Sequence, residues 1–316
     1  MTVRTLDLFH GAGGSSVGAL AAGAAVVAGI DYWDIATNAY KSNFPNVTAV
    51  NADIRKINPR MLHDRIGDID LILSSPECTN HSCAKGAALR DEESRLTAFQ
   101  VTRFAEEFRP KWIVIENVIQ MHSWSRHQDL INELSILGYC VRQEILNAKD
   151  FGVPQSRRRL FVVCSRIGDV AKITHPSIKI WPARKIIDFN GKYAYTPLFA
   201  PKRAVATIER AERAFSALGK KEPFLIVYYG TDGSGGWQPI DEPLRTITTL
   251  DRFAFVKPTN AGHLMRMLQP EELKLAMGFP ASYRLGTATR RDKVKLMGNA
   301  VCPPVMTHIV RSLIRK

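Results

Sequence analysis

Residues 5–14 read TLDLFHGAGG and combine an apolar run with a glycine-rich turn. The apolar run Thr5–Phe9 is typical of a buried strand, and His10-Gly11-Ala12-Gly13-Gly14 is a glycine turn that leads into a helical pattern. A strand, a glycine turn and a helix start bind a nucleotide or nucleoside cofactor in many α/β folds, because glycine lets the backbone approach the ligand. The alternative is a turn that serves only tight packing of a helix on a sheet.

The same pattern of apolar run, turn and helical segment repeats as far as residue 164. It predicts further strands at Ala25–Ile30, Leu71–Ser74, Trp112–Ile115, Cys140–Leu146 and Leu160–Cys164. It predicts helices at Gly18–Ala24, Ile35–Asn43, Leu96–Glu107 and Gln128–Leu137. Repeated βα units indicate a doubly wound α/β sheet. The link between the last two strands is too short for a crossover helix, so the sheet should be mixed, with an antiparallel hairpin at its edge.

The chain changes character from about residue 178, where prolines and a glycine-rich run at 230–236 replace long apolar periods. This change predicts a smaller, loop-rich second domain. Two further helices are predicted at Glu271–Met277 and Val305–Ile314, and the second should pack back on the sheet. We therefore expect a catalytic domain over residues 1–180, a small domain over 181–284 and a C-terminal segment over 285–316 that returns to the first domain.

The chain is basic, with 43 Lys and Arg against 30 Asp and Glu and a formal net charge of +13. This balance favours a polyanionic partner. Charge alone does not show whether that partner is DNA or RNA, and a positive net charge can also serve solubility alone. The five cysteines are scattered and include no CxxC pair, so neither a disulfide framework nor a metal cluster is expected, and a reducing cytoplasm fits. We read no targeting signal and no membrane span.

Polar side chains follow several of the predicted strands, at the edge where open α/β folds place their ligands. Asp31 can accept hydrogen bonds from a ribose diol, and the neighbouring Tyr32 can lie on an adenine ring. Asp53 and Ile54 offer a carboxylate and an apolar wall for the adenine edge. Each acid alone would be interpreted as a solvated turn residue, whereas the set indicates a nucleoside site.

A cysteine stands at the same edge, within the segment SPECT at 75–79. Cys78 is therefore a candidate nucleophile, although most lone cysteines are packing residues. Glu116 ends a neighbouring strand and supplies a carboxylate that should face Cys78. Residues 80–93 are polar and resemble a mobile loop that can close over a substrate. A thiol and a carboxylate at one sheet edge form a chemical pair.

The segment QSRRR at 155–159 precedes a strand, so Gln155, Arg157 and Arg159 should share one face. The two arginines could grip an anion together. The alternative is a basic edge strand that resists aggregation.

In this order the motifs resemble those of the cytosine-5 DNA methyltransferase family, over nearly the full chain. The resemblance assigns the S-adenosylmethionine (SAM) contacts to Phe9, Gly11, Gly13, Asp31, Tyr32, Asp53 and Ile54. The segment GNAV at 298–301 resembles the last family motif and adds Asn299 and Val301 to that pocket. The catalytic residues implied are Cys78, Glu116, Arg157 and Arg159, and the substrate-binding residues are Asn117 and Gln155.

The resemblance implies a Rossmann-like mixed sheet with a smaller target-recognition domain. It implies transfer of a methyl group from SAM to C5 of a cytosine that is flipped out of double-stranded DNA, through a covalent bond to Cys78 and without a metal. A monomeric cytoplasmic enzyme of bacterial, archaeal or phage origin fits best. Two departures are visible: the recognition region is short, and Glu77 stands where the family usually has proline. A carboxylate beside a thiol should disfavour the thiolate.

Three other functions compete with this interpretation. A tRNA-methylating branch shares the motifs, and an inactive nucleic-acid-binding homologue could retain the fold. A dinucleotide-dependent oxidoreductase is disfavoured, because the glycine turn does not spell GxGxxG in its usual register.

Overall fold

A computed structural model describes residues 2–77, 91–229 and 235–314 of the chain. Cys78, and the predicted closing loop as far as residue 90, lie outside the described residues.

The first half of the chain forms a seven-stranded sheet. Its strands are β1 (Arg4–Leu8), β2 (Ala25–Asp31), β3 (Thr48–Asn51), β4 (Leu71–Ser74), β5 (Trp112–Asn117), β6 (Cys140–Asn147) and β7 (Arg158–Ser165). The spatial order is β3-β2-β1-β4-β5-β7-β6. The first five of these strands run parallel, and β7 is antiparallel to both β5 and β6. The predicted doubly wound, mixed sheet with an edge hairpin is confirmed.

Within the described residues, six helices accompany this sheet: α1 (Gly14–Ala22), α2 (Asp34–Asn43), α3 (Pro59–Ile66), α4 (Glu92–Arg95), α5 (Gln100–Phe108) and α6 (His127–Ile136). The single helix predicted over 96–107 is a short 3-10 turn followed by α5. Side chains of α3, α5 and α6 cover one face of the sheet, as shown by the cluster that joins Leu62, Phe104 and Leu130 to Ile72. Helices α1 and α2 cover the other face.

The described part of the second half of the chain forms an antiparallel sheet and four helices. Its strands are β8 (Thr196–Pro197), β9 (Phe224–Val227), β10 (Trp237–Pro239), β11 (Phe253–Thr259) and β12 (Gly262–Met267), in the order β10-β9-β11-β12-β8. Its helices are α7 (Val205–Leu218), α8 (Pro270–Ala276), α9 (Arg290–Asn299) and α10 (Pro303–Ile314). The region predicted to be rich in loops thus contains more regular structure than its proline content suggested.

Alternating side chains fix this second sheet between two apolar layers. On β9, Phe224 and Ile226 pack towards α7, while Leu225 and Val227 join the large core that also contains residues of the first sheet. A strand presents successive side chains to opposite faces, which explains how one strand serves both layers. At the end of the chain, α10 packs on α1.

The Arg157 side chain joins three segments that are far apart in sequence. Its Nη1 donates to the carbonyl of Ile247 at 2.9 Å, and its Nη2 donates to the carbonyls of Gly298 at 2.8 Å and Ala300 at 3.1 Å. The side chain is buried, with 3% of the residue exposed. Arg157 therefore holds the segment around Ile247 and the segment 298–301 against the start of β7.

Replacement of Arg157 by alanine should lower the free energy of unfolding by about 3 kcal/mol, because three buried carbonyls lose their donor. Urea unfolding followed by circular dichroism measures the change. Arg158→Ala is the matched control, since Arg158 is exposed and should shift stability by about 0.5 kcal/mol or less. Equal urea midpoints for the two variants would show that the hydrogen bonds of Arg157 contribute little to the stability of the fold.

Candidate active site

A cavity of about 450 Å³ opens where the carboxyl ends of β1, β2, β4 and β5 meet. This is the edge at which open α/β sheets bind ligands. Eight residues that the sequence analysis assigned to cofactor or catalysis line it together: Phe9, Gly11, Asp31, Tyr32, Asp53, Ile54, Glu116 and Asn299. Residues from both ends of the chain therefore form one concave site.

The Asp31 carboxylate ties the glycine turn to the end of β2. Its Oδ2 accepts from the backbone N–H of Gly11 at 2.8 Å, and its Oδ1 accepts from the N–H of Trp33 at 2.8 Å. Phe9, just before the turn, adopts a left-handed backbone with φ of 61°. One buried carboxylate thus fixes two walls of the cavity at once.

Two residues of the predicted cofactor set support the cavity without lining it. Gly13 has φ of 76°, and a Cβ there would lie 2.8 Å from atoms of Phe44 and Tyr283. The Val301 carbonyl lies against Gly14, where an added Cβ would approach the oxygen to 2.0 Å. These positions bring α1 and the C-terminal motif close together, so their contribution is to the shape of the cavity wall.

The predicted adenine-side residues also line the cavity. Tyr32 is 73% exposed, whereas Ile54 is buried. Asp53 forms an ion pair with Arg55 at 2.7 Å, and the hydrogen bond from Arg55 is the main cause that lowers the pKa of Asp53. Trp33 also lines the cavity and was missed by the sequence analysis, although its position directly after Tyr32 was a readable signal.

Glu116 ends β5 inside the protein, and only 6% of it is exposed. Burial raises the pKa of this carboxyl, against the opposing effects of Arg159 and then Arg157. The Nε of Arg159 lies 3.3 Å from the Glu116 Oε1. A carboxyl group with a raised pKa keeps its proton to higher pH and can donate a hydrogen bond to a ligand. The neighbouring guanidinium can bind an oxygen atom of the same ligand.

Asn117 holds the chain that leads to Cys78. Its Nδ2 donates to the carbonyl of Pro76 at 3.3 Å, and its Oδ1 accepts from the N–H of Val118 at 2.8 Å. Because β4 and β5 pair with Ser74 opposite Ile115, the segment that follows β4 emerges beside Glu116. The last described residues before Cys78 therefore lie at the cavity, and Glu77 is part of its lining.

Gln155 and Arg157 are placed differently from their predicted roles. Both residues were predicted to lie at the substrate, whereas Gln155 donates to the carbonyl of Ala276 at 3.0 Å and accepts from the N–H of Ile247 at 2.9 Å. Both Nη atoms of Arg157 donate to backbone carbonyls. The geometry of both side chains is that of positioning residues, because their polar groups bind backbone.

Within the described part of the chain, no group of three or more His, Cys, Asp or Glu residues is arranged to hold a metal ion. Over the same residues, no helix is both long enough and apolar enough to cross a membrane.

The chain is similar to known proteins along nearly its whole length. The model of the family "C-5 cytosine-specific DNA methylase" matches residues 3–315. The Type II methyltransferase M.XorII of Xanthomonas oryzae is 35% identical, in an alignment that covers 98% of this chain and 84% of that protein. The Type II methyltransferase M.HgiDI of Herpetosiphon aurantiacus is 28% identical, and the alignment covers 95% and 90% of the two chains.

Solved structures share the fold at lower identity. The methyltransferase EhMeth of Entamoeba histolytica superposes with a TM-score of 0.73 at 16% identity, covering 100% of this chain and 98% of its own. A DNMT2 variant of Spodoptera frugiperda gives 0.71 at 18% identity and covers 99% of both chains. The fold, the cavity at the sheet edge and the family match together show that this chain belongs to the C-5 cytosine-specific DNA methylase family.

Proposed function

We propose that this protein transfers a methyl group from SAM to C5 of a cytosine within a specific sequence of double-stranded DNA, with Cys78 as covalent nucleophile. The observation that carries the proposal is the cavity lined by both the glycine turn and the buried Glu116, whose pKa is raised by burial and whose carboxyl group lies beside Arg159. Membership of the family, and the names of relatives such as M.XorII, supply the reaction class.

The cavity residues fit SAM in both shape and chemistry. Trp33 and Tyr32 offer aromatic surface, Ile54 offers an apolar floor, and the carboxylates of Asp31 and Asp53 offer acceptors for hydroxyl and amino groups. Bound SAM supplies an electrophilic methyl group. The residues of the chain position the cofactor and shield it from water.

The protein residues activate the base. The thiolate of Cys78 adds to C6 of the cytosine, since C5 is otherwise too electron-poor to accept a methyl group. Glu116 donates a hydrogen bond to N3 and accepts one from the exocyclic amino group, and Arg159 holds the O2 side. After methylation, loss of the C5 proton and release of Cys78 restore the aromatic ring. The cytosine must be flipped out of the duplex, because these atoms are inaccessible inside it.

A tRNA substrate is the second candidate and is less well supported. The relatives that align along most of the chain are named Type II methyltransferases. The DNMT2 structure is only 18% identical and shows the fold alone. An inactive homologue would have little reason to retain the paired Glu116 and Arg159. Bisulfite sequencing of DNA from cells that express the chain tests activity, base and sequence context together.

Replacement of Cys78 by serine should abolish methyl transfer and covalent trapping on DNA that contains 5-fluorocytosine, because a hydroxyl is far less nucleophilic than a thiolate. Binding of SAM, followed by calorimetry, should remain. Cys83→Ser is the matched control and should leave turnover largely intact. Trapping lost with the Cys83 variant and kept with the Cys78 variant would reverse the assignment.

Replacement of Glu116 by glutamine should lower kcat by about 100-fold or more, because the amide cannot transfer a proton. Since the pKa of Glu116 is raised, its protonated form persists above the ordinary carboxyl range and is lost as the pH rises through that higher value. Wild-type kcat/KM should therefore fall on the alkaline side, and this limb should be absent from the variant. Glu144→Gln on the edge strand β6 is the control. An unchanged alkaline limb in the Glu116 variant would assign that limb to another group.

Replacement of Asp31 by asparagine should weaken SAM binding about tenfold, which corresponds to about 1.4 kcal/mol. The amide nitrogen cannot accept, so either the Gly11 or the Trp33 N–H loses its partner. Calorimetric titration measures the affinity. Asp34→Asn, an exposed change in the first turn of α2, is the control. Equal affinities for the two variants would argue against the carboxylate clamp.

A further inference from the structure

Glu77 is a residue of the cavity that the proposed chemistry does not use. It follows β4, the strand that lies between β1 and β5, so it stands between the glycine turn and Glu116. It is partly buried and lines the cavity. Its position in the lining places its carboxylate where it can act on the cofactor, in addition to any effect on the thiol that follows it.

The lining of the cavity is acidic although the whole chain is basic. Among the described residues, the cationic side chains of the lining are Arg55 and Lys295, and its carboxylates are Asp31, Asp53, Glu77, Asp91, Glu93 and Glu116. Asp53 is paired with Arg55, and Glu116 is paired with Arg159, which moderates the charge at these two positions. A concave site lined mainly by one sign of charge favours ligands of the opposite sign.

Different carboxylates act on different parts of this cavity. Burial, Asp31 and then Glu77 raise the pKa of the Tyr32 hydroxyl. The hydrogen bond to Asp53 is the main cause that raises the pKa of the Arg55 guanidinium, and the negative charges of Glu93 and Asp91 make smaller contributions in the same direction. Glu77 is therefore electrostatically close to the wall formed by Tyr32 and Asp31, and Glu93 is close to the rim formed by Asp53 and Arg55.

We propose that Glu77 is a specificity-determining residue for the cofactor, whose carboxylate favours the cationic sulfonium of SAM over the neutral thioether of the product, S-adenosylhomocysteine. The inference rests on the proposed function. The two ligands differ by one methyl group and one positive charge, so hydrogen bonds and stacking cannot separate them strongly. A nearby negative charge can, since the Coulomb interaction acts on one ligand alone.

This selectivity has a consequence for turnover. Once the methyl group has left, the ligand loses its charge and with it the attraction of Glu77. The product then binds less tightly than the substrate, which limits inhibition by accumulated product. A proline at this position, the usual residue of the family, provides no such charge.

The test is calorimetric titration of the full chain with SAM, S-adenosylhomocysteine and sinefungin, an analogue that carries a protonated amine in place of the sulfonium. Glu77→Gln should weaken SAM and sinefungin about tenfold and change S-adenosylhomocysteine by less than about twofold. Glu77→Pro should show the same loss of preference, and Glu77→Asp should keep most of it. Glu93→Gln is the matched control, a neutralised carboxylate at the other rim, and should change the preference by less than about twofold.

Three results would overturn the inference. Equal weakening of all three ligands by Glu77→Gln would indicate a structural role. An equal loss of preference in Glu93→Gln would assign the effect to the total charge of the cavity. Unchanged affinities with a shifted pH profile of turnover would assign Glu77 to Cys78. If the wild-type chain binds none of the three ligands, the proposed function itself fails, which is distinct from a wild-type chain that binds SAM and shows no preference.

Discussion

The hydrogen bonds from the Arg157 guanidinium to three backbone carbonyls hold together the parts on which the candidate site depends. Ile247 lies in the segment between β10 and β11, and Gly298 and Ala300 flank Asn299 in the wall of the cavity. A buried guanidinium is costly to desolvate, and its hydrogen bonds offset that cost only where all the acceptors are in place. Close packing enforces the arrangement, since a Cβ on Gly298 would lie 2.4 Å from the Thr248 carbonyl.

Burial raises the pKa of two acids near the glycine turn, Asp7 and Glu116, which differ in their access to the cavity. The pKa of Asp7 is raised to about 7. Asp7 accepts a hydrogen bond from the Ser16 hydroxyl at 2.5 Å, and the Ser16 hydroxyl lies 2.8 Å from the Tyr40 hydroxyl. All three residues of this hydrogen-bonded group are buried. Glu116 faces the cavity beside Arg159, and this access suits it for proton donation to a ligand.

The sequence predicted the large sheet well because its strands are apolar runs closed by turns, and Leu71–Ser74 has the predicted bounds. Strand β3 was missed because its four residues are polar or only partly buried. Helix α3 buries little beyond Leu62, although Asn58 and Pro59 form a readable start. The strands of the small sheet were overlooked because prolines and glycines surround them. Spacing placed Gln155 and Arg157 on one face, but only tertiary contacts show that this face meets backbone.

The opposite charges of the cavity and the chain follow from the two ligands of the proposed reaction. A polyanionic duplex requires a cationic protein, and the chain carries a formal net charge of +13. A sulfonium cofactor, which is a cation, requires a site without an excess of positive charge. Among the described residues, the cations in the lining of the cavity are Arg55 and Lys295, and its carboxylates outnumber them. Screening by salt limits exposed charges to about 10 Å, so the two fields can coexist on one protein. Arg159 lies close enough to Glu116 to oppose the rise in the pKa of that carboxyl group. Separation of charge over this short distance allows a cation and a polyanion to react at the same sheet edge.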